Sequence, residues 1–324
     1  MDKKLFFQEN MIKLPEIDFS HEDLKPGTLV WNQVKSQVHK ALVEYGCFKA
    51  SFDKISIHLK KSIFEVSQEL FDLPLQTKLK NISTRPLHGY IGQCPQIPLY
   101  ESLCFDDANI HNKAEKFTQT LWPQGNSFFC KTIQSYSEQL SKLDQIVNRM
   151  ILESLGMEKY MDEHMNSTNY LLRLMKYKAP QSSETEMGMN VHTDRSNLTI
   201  LYQNQVNGLQ ILTKDGQWIN VDPTPDTFIV MIGDPLHAWT NGRLHAPYHR
   251  VIMRGKEARY SIGFFSRPKA GHIIKTPKEL VDEDHPLLFK PFVHAEYLDF
   301  CYRAFNNTKE GMGCESILKT YYGV

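Results

Sequence analysis

Two rhythms of apolar residues divide the chain. From Val30 to Tyr45 they return at helical spacing (Val30, Val34, Val38, Ala41, Leu42 and Tyr45), and Gly46 follows where a helix C-cap belongs. Residues 54–71 repeat the pattern through Ile55, Leu59, Ile63, Val66 and Leu70. A longer helix is predicted over 131–155, with Ile133, Tyr136, Leu140, Leu143, Val147, Met150 and Ile151 on one face and Gly156 at its end. Residues 80–112 are rich in Pro, Gly and polar residues and read as an irregular surface segment.

After Asn169 the period shortens. Strands are predicted over 171–177, 198–203, 209–213, 218–221, 228–232, 249–253 and 259–265. Turn signals separate them: Asn207-Gly208, Asp215-Gly216, Pro223 to Pro225, Gly233-Asp234 and Asn241-Gly242. Many short strands at this spacing make an antiparallel sandwich or barrel. A helix near 295–305 follows. The expected organisation is a mainly helical region over 1–165, an all-β core over 166–270 and a mixed, partly helical extension over 271–324.

Composition narrows the partners. The 324 residues carry 37 Lys plus Arg and 37 Asp plus Glu, so the net charge is zero. Such a chain has no electrostatic reason to seek nucleic acid or an anionic membrane. The six cysteines (47, 94, 104, 130, 301 and 314) include no C-x-x-C pair and read as reduced thiols. The apolar run near the N-terminus is three residues long, too short for a signal-peptide core, and no later stretch approaches a membrane span. The expectation is a soluble, cytoplasmic monomer that acts on a small molecule.

The chemistry concentrates in the second half. His192 and Asp194 are separated by one residue, and in extended chain residues i and i+2 project to the same side. A third metal ligand is expected from His249, which opens a predicted strand 57 positions on; His237, in a predicted turn, and His245 compete for that place. Two histidines and one carboxylate leave open positions on a ferrous ion for substrate-derived ligands and oxygen. The same set also suits zinc with a bound water, so a zinc hydrolase is the alternative, and a non-catalytic relative is a third. Arg259 and Ser261, ten and twelve residues past His249, favour the first reading. On one face of a strand, a guanidinium fork and a hydroxyl are what a buried carboxylate needs.

With these residues in place the sequence resembles the plant-type 2-oxoglutarate/iron(II)-dependent dioxygenases over essentially its whole length. The carrying pattern is H-x-D, a distal histidine, then R-x-S. It is accompanied by Leu14-Pro15-Glu16-Ile17-Asp18, Gly46-Cys47-Phe48, Asn207-Gly208-Leu209-Gln210, Trp218-Ile219, Asn241-Gly242-Arg243 and His285-Pro286. Within the family the likeness is to the subgroup first known for remodelling glucosinolate side chains, through Leu121-Trp122-Pro123-Gln124-Gly125 and Ala246-Pro247-Tyr248-His249-Arg250-Val251 among others.

The resemblance implies a double-stranded β-helix (a jelly roll) preceded and flanked by helices. It implies iron(II) on His192, Asp194 and His249, with 2-oxoglutarate and oxygen as co-substrates and ascorbate as a supporting reductant. Arg259 and Ser261 would hold the far carboxylate of 2-oxoglutarate, and Tyr177 would add a hydroxyl. Many relatives have Asn where Met175 stands, so one supporting contact differs here. A substrate pocket would be lined by Arg173 and Phe265, with Phe117, Gln119 and Arg267 at its margin. The outcome would be hydroxylation, desaturation, dealkylation or cleavage of a small specialised metabolite, with succinate and carbon dioxide released. Asp194 argues against halogenation, because halogenating relatives have a small residue at that position.

Overall fold

The computed structural model describes residues 13–181, 185–307 and 317–324; Cys314 and the apolar run near the N-terminus lie outside them. The chain enters through strand β1 (Glu16–Asp18), helix α1 (Leu29–Glu44) and strand β2 (Cys47–Ser51). Thr28 caps α1 by accepting from the Trp31 amide, and Val34, Val38, Ala41 and Leu42 are buried as the pattern required. Gly46 ends the helix at φ +70°, and a Cβ there would sit 2.2 Å from the His245 carbonyl oxygen. Both facts demand glycine.

Helices α2 (Ile57–Asp72) and α3 (Leu75–Lys78) follow, then strand β3 (Tyr100–Asp106), α4 (His111–Leu121), α5 (Ser127–Ser154) and α6 (Met161–Asn166). All seven apolar positions expected along α5 are buried, and Asn126 caps its start. β3 corrects the expectation of an irregular surface over 80–112. It pairs with a later strand from Tyr100 to Asp106, and Leu103, Cys104 and Phe105 are buried. Prolines and glycines on its N-terminal side masked it.

The second half supplies β4 (Thr168–Tyr177), β5 (Glu186–His192), β6 (Leu198–Gln203), β7 (Leu209–Leu212), β8 (Trp218–Asn220) and β9 (Thr227–Ile232). Helix α7 (Asp234–Trp239) leads to β10 (His249–Met253), β11 (Arg259–Pro268), β12 (Ile273–Ile274) and β13 (Phe292–Val293), then α8 (His294–Asn307) and α9 (Ile317–Tyr322). β5 was not anticipated. Its residues Glu186-Met187-Gly188-Met189-Asn190-Val191-His192 show no clean alternation, and it exists because β10 pairs with it.

Seven strands form one sheet in the order β1-β2-β9-β6-β11-β4-β3, and four form a second in the order β5-β10-β7-β8. β1, β2 and β3 therefore bring the mainly helical N-terminal half into the large sheet. The side-chain period of two sorts the large sheet's faces. Leu172, Leu174, Ile200, Ile262 and Phe264 pack with Val38, Ile63, Ile133, Tyr136 and Leu140 of the helices. Met175, Tyr177, Leu201 and Met231 turn the other way, joining Leu209, Val251 and Met253 of the small sheet. Among the described residues no helix is long and apolar enough to cross a membrane.

Candidate active site

Between the two sheets lies a cavity of about 310 Å³. On its small-sheet side, β5 ends at His192 and β10 begins at His249, and the two residues are direct partners in the antiparallel pair. Their ring centroids are 4.2 Å apart. The register shifts just after His249, a β-bulge of the kind that re-aims side chains at sites. Asp194 follows His192 in the turn toward β6, with its Oδ1 3.8 Å from His192 Nε2 and 3.6 Å from His249 Nε2.

Backbone and side-chain contacts behind the three residues set their orientation. His192 Nδ1 bonds the Asn190 carbonyl at 2.8 Å and His249 Nδ1 the Pro247 carbonyl at 3.2 Å. A ring whose Nδ1–H is given to a carbonyl presents the lone pair of Nε2 inward, the tautomer that binds metal. Burial, and then the neighbouring His249, push the pKa of His192 well below the ordinary histidine value, which keeps its ring neutral at physiological pH. Thr199 donates to Asp194 Oδ2 at 2.6 Å. The turn itself is pinned by the Asp234 amide, which donates to the Asp194 carbonyl at 2.9 Å. Gly233 permits that approach, because a Cβ there would lie 1.9 Å from the Ser196 carbonyl oxygen.

Among the described residues, His192, Asp194 and His249 form the one group of three such side chains able to hold a metal, with their donor atoms within 4.8 Å of one another. His237 and His245 are outside it. His237 lies in α7 rather than in a turn, and its Nδ1 bonds the Leu244 carbonyl at 2.6 Å. Two imidazole nitrogens and one carboxylate oxygen, converging on one point at the edge of a cavity, fit iron(II) with positions left open.

The large sheet contributes the opposite wall. Arg259 is fully buried at the start of β11, directly across from Tyr177 on β4, with its guanidinium 5.0 Å from the centre of that ring. Its Nη1 donates to Ser261 Oγ at 3.2 Å and its Nη2 to Gln203 Oε1 at 2.6 Å. Its Nε has no partner, and among the described residues no carboxylate pairs with it. Burial draws its pKa down, but a guanidinium stays charged in a protein. Met175 stands opposite Ser261 on β4 and lines the cavity, offering a thioether where an amide would donate.

The other sequence-derived residues separate. Arg173, Phe265 and Arg267 line the cavity. Phe117 and Gln119 do not. Phe117 stacks on Phe105 at 4.0 Å inside the helical core, and Gln119 is exposed on α4. The aromatic at 117 answered to helix packing, not to the pocket. Thr199, Gln203, Gly233 and Asp234 were missed. The period of two along β6 puts Thr199, Leu201 and Gln203 on one face, which was the available signal for the first two.

Comparison with known proteins agrees with this geometry. Residues 163–268 match the 2OG-Fe(II) oxygenase superfamily, and residues 14–97 match the N-terminal domain described as non-haem dioxygenase in morphine synthesis. The Arabidopsis thaliana protein named probable 2-oxoglutarate-dependent dioxygenase AOP1.2 is 52% identical over 315 residues, covering 95% of each chain. The crystal structure of a rice dioxygenase for auxin oxidation superposes with a TM-score of 0.79 at 29% identity, over 96% of this chain and 100% of that one. JOX2, solved with 2OG, Fe and JA, gives 0.78 at 26% identity over 95% and 89%. A full-length match at this identity, on a cavity that joins a two-histidine, one-carboxylate cluster to a buried unpaired guanidinium, makes this chain a member of the 2-oxoglutarate/iron(II)-dependent dioxygenase family.

Proposed function

We propose that His192, Asp194 and His249 hold the iron, that Arg259 with Ser261 and Tyr177 anchors the far carboxylate of 2-oxoglutarate, and that a small specialised metabolite is oxidised in the same cavity. Iron(II) held by His192, Asp194 and His249 would supply the oxygen chemistry, in which one dioxygen is shared between 2-oxoglutarate, released as succinate and carbon dioxide, and the oxidised substrate. The protein's part is positioning. Neutral imidazoles and one carboxylate leave the metal a net positive charge that draws the 2-oxo acid end of the co-substrate. Arg259 presents a planar fork to the other end, and Ser261 and Tyr177 add hydroxyl donors. Apolar walls from Leu171, Leu201, Leu209 and Val251 limit water near the reacting atoms. Arg173 and Phe265 would contact the metabolite, with Arg267 nearer the margin. The two sheets and their antiparallel pairings support reading the core as a double-stranded β-helix, with the helices packed outside.

The observation that carries this reading is Arg259. A fully buried guanidinium without a carboxylate is costly unless a ligand completes it. A zinc hydrolase has no use for it. The test is anaerobic titration of 2-oxoglutarate into the iron-loaded protein, following the metal-to-ligand charge-transfer absorbance, with succinate release measured in air. The expected result is a saturable band that needs both components and is abolished by a chelator. Full turnover with zinc alone would refute the assignment.

A further inference from the structure

Four guanidinium groups border the cavity: Arg173, Arg195, Arg259 and Arg267. Two of them meet a carboxylate. Arg195 pairs with Asp234, and Arg267 Nη2 lies 2.6 Å from Asp106 Oδ1, a carboxylate it shares with Arg85. Arg259 is taken by 2-oxoglutarate under the proposed function, and the role assigned to Arg173 rests on that reading. Arg173 is left over.

Arg173 is buried on β4, and its hydrogen-bond partners among the described residues are neutral. Its Nη1 donates to Ser102 Oγ at 2.8 Å and its Nη2 to the Leu87 carbonyl. Tyr100, Cys104 and Tyr177 are its other neighbours, and no carboxylate of a described residue pairs with it. It is close enough to Arg267 to repel it. A buried cation without a counter-charge is retained at a cost in folding. Among the described residues, Arg173 and Arg259 are thus the two cavity guanidinium groups that meet no carboxylate.

A single 2-oxoglutarate does not serve both. One of its carboxylates belongs to the metal and the other to Arg259. Arg173 stands opposite Gly263, four residues along β11 from Arg259, so their backbones are roughly 13 Å apart. The second negative charge must come with the other ligand of the cavity. The cavity that Arg173 borders also has apolar walls, from Ile91, Ile97, Leu171, Phe265, Leu298 and Ile317.

We infer that the prime substrate is a carboxylic acid with an apolar body, seated with its carboxylate on Arg173. The planar fork of Arg173 matches a planar carboxylate. The acid group also orients the molecule, since only one end of it can lie on Arg173 while the apolar body reaches along the wall.

The test uses the full protein loaded anaerobically with iron(II) and 2-oxoglutarate. Appearance of the charge-transfer band establishes the loaded site before any third ligand is added, so failure at that stage falls on the proposed function itself. A homologous series of ω-phenylalkanoic acids is then titrated by calorimetry, each beside its primary amide and its matching sulfonate. The best acid should bind about tenfold to a hundredfold more tightly than its amide, the difference a charge-assisted contact makes. Arg173→Gln should bring that acid to the level of its amide, and Arg173→Lys should restore part of the gap. The wild-type acid–amide comparison stands without either variant. Equal binding of acid and amide, tighter binding of the sulfonate, or no binding by any acid of the series would overturn the inference.

Discussion

Thr199 on β6 donates its hydroxyl to Asp194 Oδ2 at 2.6 Å, so the oxygen Asp194 turns toward the two histidines is Oδ1. A hydroxyl on the next strand thus decides which way the carboxylate faces. Thr199→Val keeps the shape and removes the donor. Iron(II) affinity should fall roughly 10- to 100-fold, as losing an outer partner of a metal ligand does. Equilibrium iron titration of both proteins measures this, and unchanged affinity would show that Asp194 needs no such support.

The choice of third ligand can be tested directly. His249→Ala should abolish iron-dependent turnover. His237→Ala and His245→Ala should retain a measurable share, because both residues lie outside the three-residue cluster. Succinate release at saturating iron separates the three variants. Activity in His249→Ala with none in His237→Ala would move the metal to another part of the cavity.

Arg259→Leu separates co-substrate anchoring from metal binding, since it removes the fork and leaves the histidines and Asp194 in place. Losing a buried charge-assisted contact costs about 2–5 kcal/mol, or roughly 30- to several-thousand-fold in 2-oxoglutarate affinity. Ser261→Ala removes one neutral donor and should cost about 1 kcal/mol. Anaerobic titration of the charge-transfer band reads both. A parent-like affinity in Arg259→Leu would remove the anchor assignment.

A fourth expectation concerns stability and pH. Asp144 on α5 is buried, its Oδ1 has no partner, and burial pushes its pKa up to about 7. The folded state therefore holds the Asp144 proton more tightly than the unfolded chain, whose carboxyl titrates near ~4. Its contribution to stability is complete below about pH 4 and is lost as the pH rises through 7, up to about 4 kcal/mol in all by linkage. His164 works the opposite way. Burial lowers its pKa to about 4, so its contribution is lost as the pH falls from about 6.5 through 4. The wild type minus Asp144→Asn difference isolates the aspartate. Urea midpoints at pH 5 and pH 8 should show Asp144→Asn gaining on the wild type at the higher pH. A constant difference between the two proteins would mean that Asp144 is ionised in the folded state throughout.

Much of the proposed site is legible in the sequence, because its parts are local. His192 with Asp194, and Arg259 with Ser261, are pairs whose spacing alone sets a shared direction in extended chain. His249 was favoured over two rivals because it opens a strand, and the cluster formed around it. The supports were not legible. Thr199 and Gln203 looked like ordinary strand positions, and Gly233 mattered only once the Ser196 carbonyl came against it. Phe117 and Gln119 failed for the converse reason: nothing in their own segment distinguishes a helix face that meets the pocket from one that meets the core or solvent.

The sequence by itself determined the helices whose apolar stripes repeat over several turns, the strands that alternate cleanly, and the identity of the pairs proposed here to bind metal and carboxylate. Those properties depend on near neighbours, through the helical period and the pleat. Only the tertiary structure decided that Glu186–His192 is a strand, since its hydrogen bonds are supplied by β10, and that β3 forms the sheet's edge under a Pro- and Gly-rich segment. It also decided which arginines are free. Arg267 meets Asp106 from 161 positions away and Arg195 meets Asp234 from 39, while no carboxylate of a described residue meets Arg173. A side chain's charge is written in the sequence, but whether that charge is balanced depends on what the fold brings within a few ångströms of it.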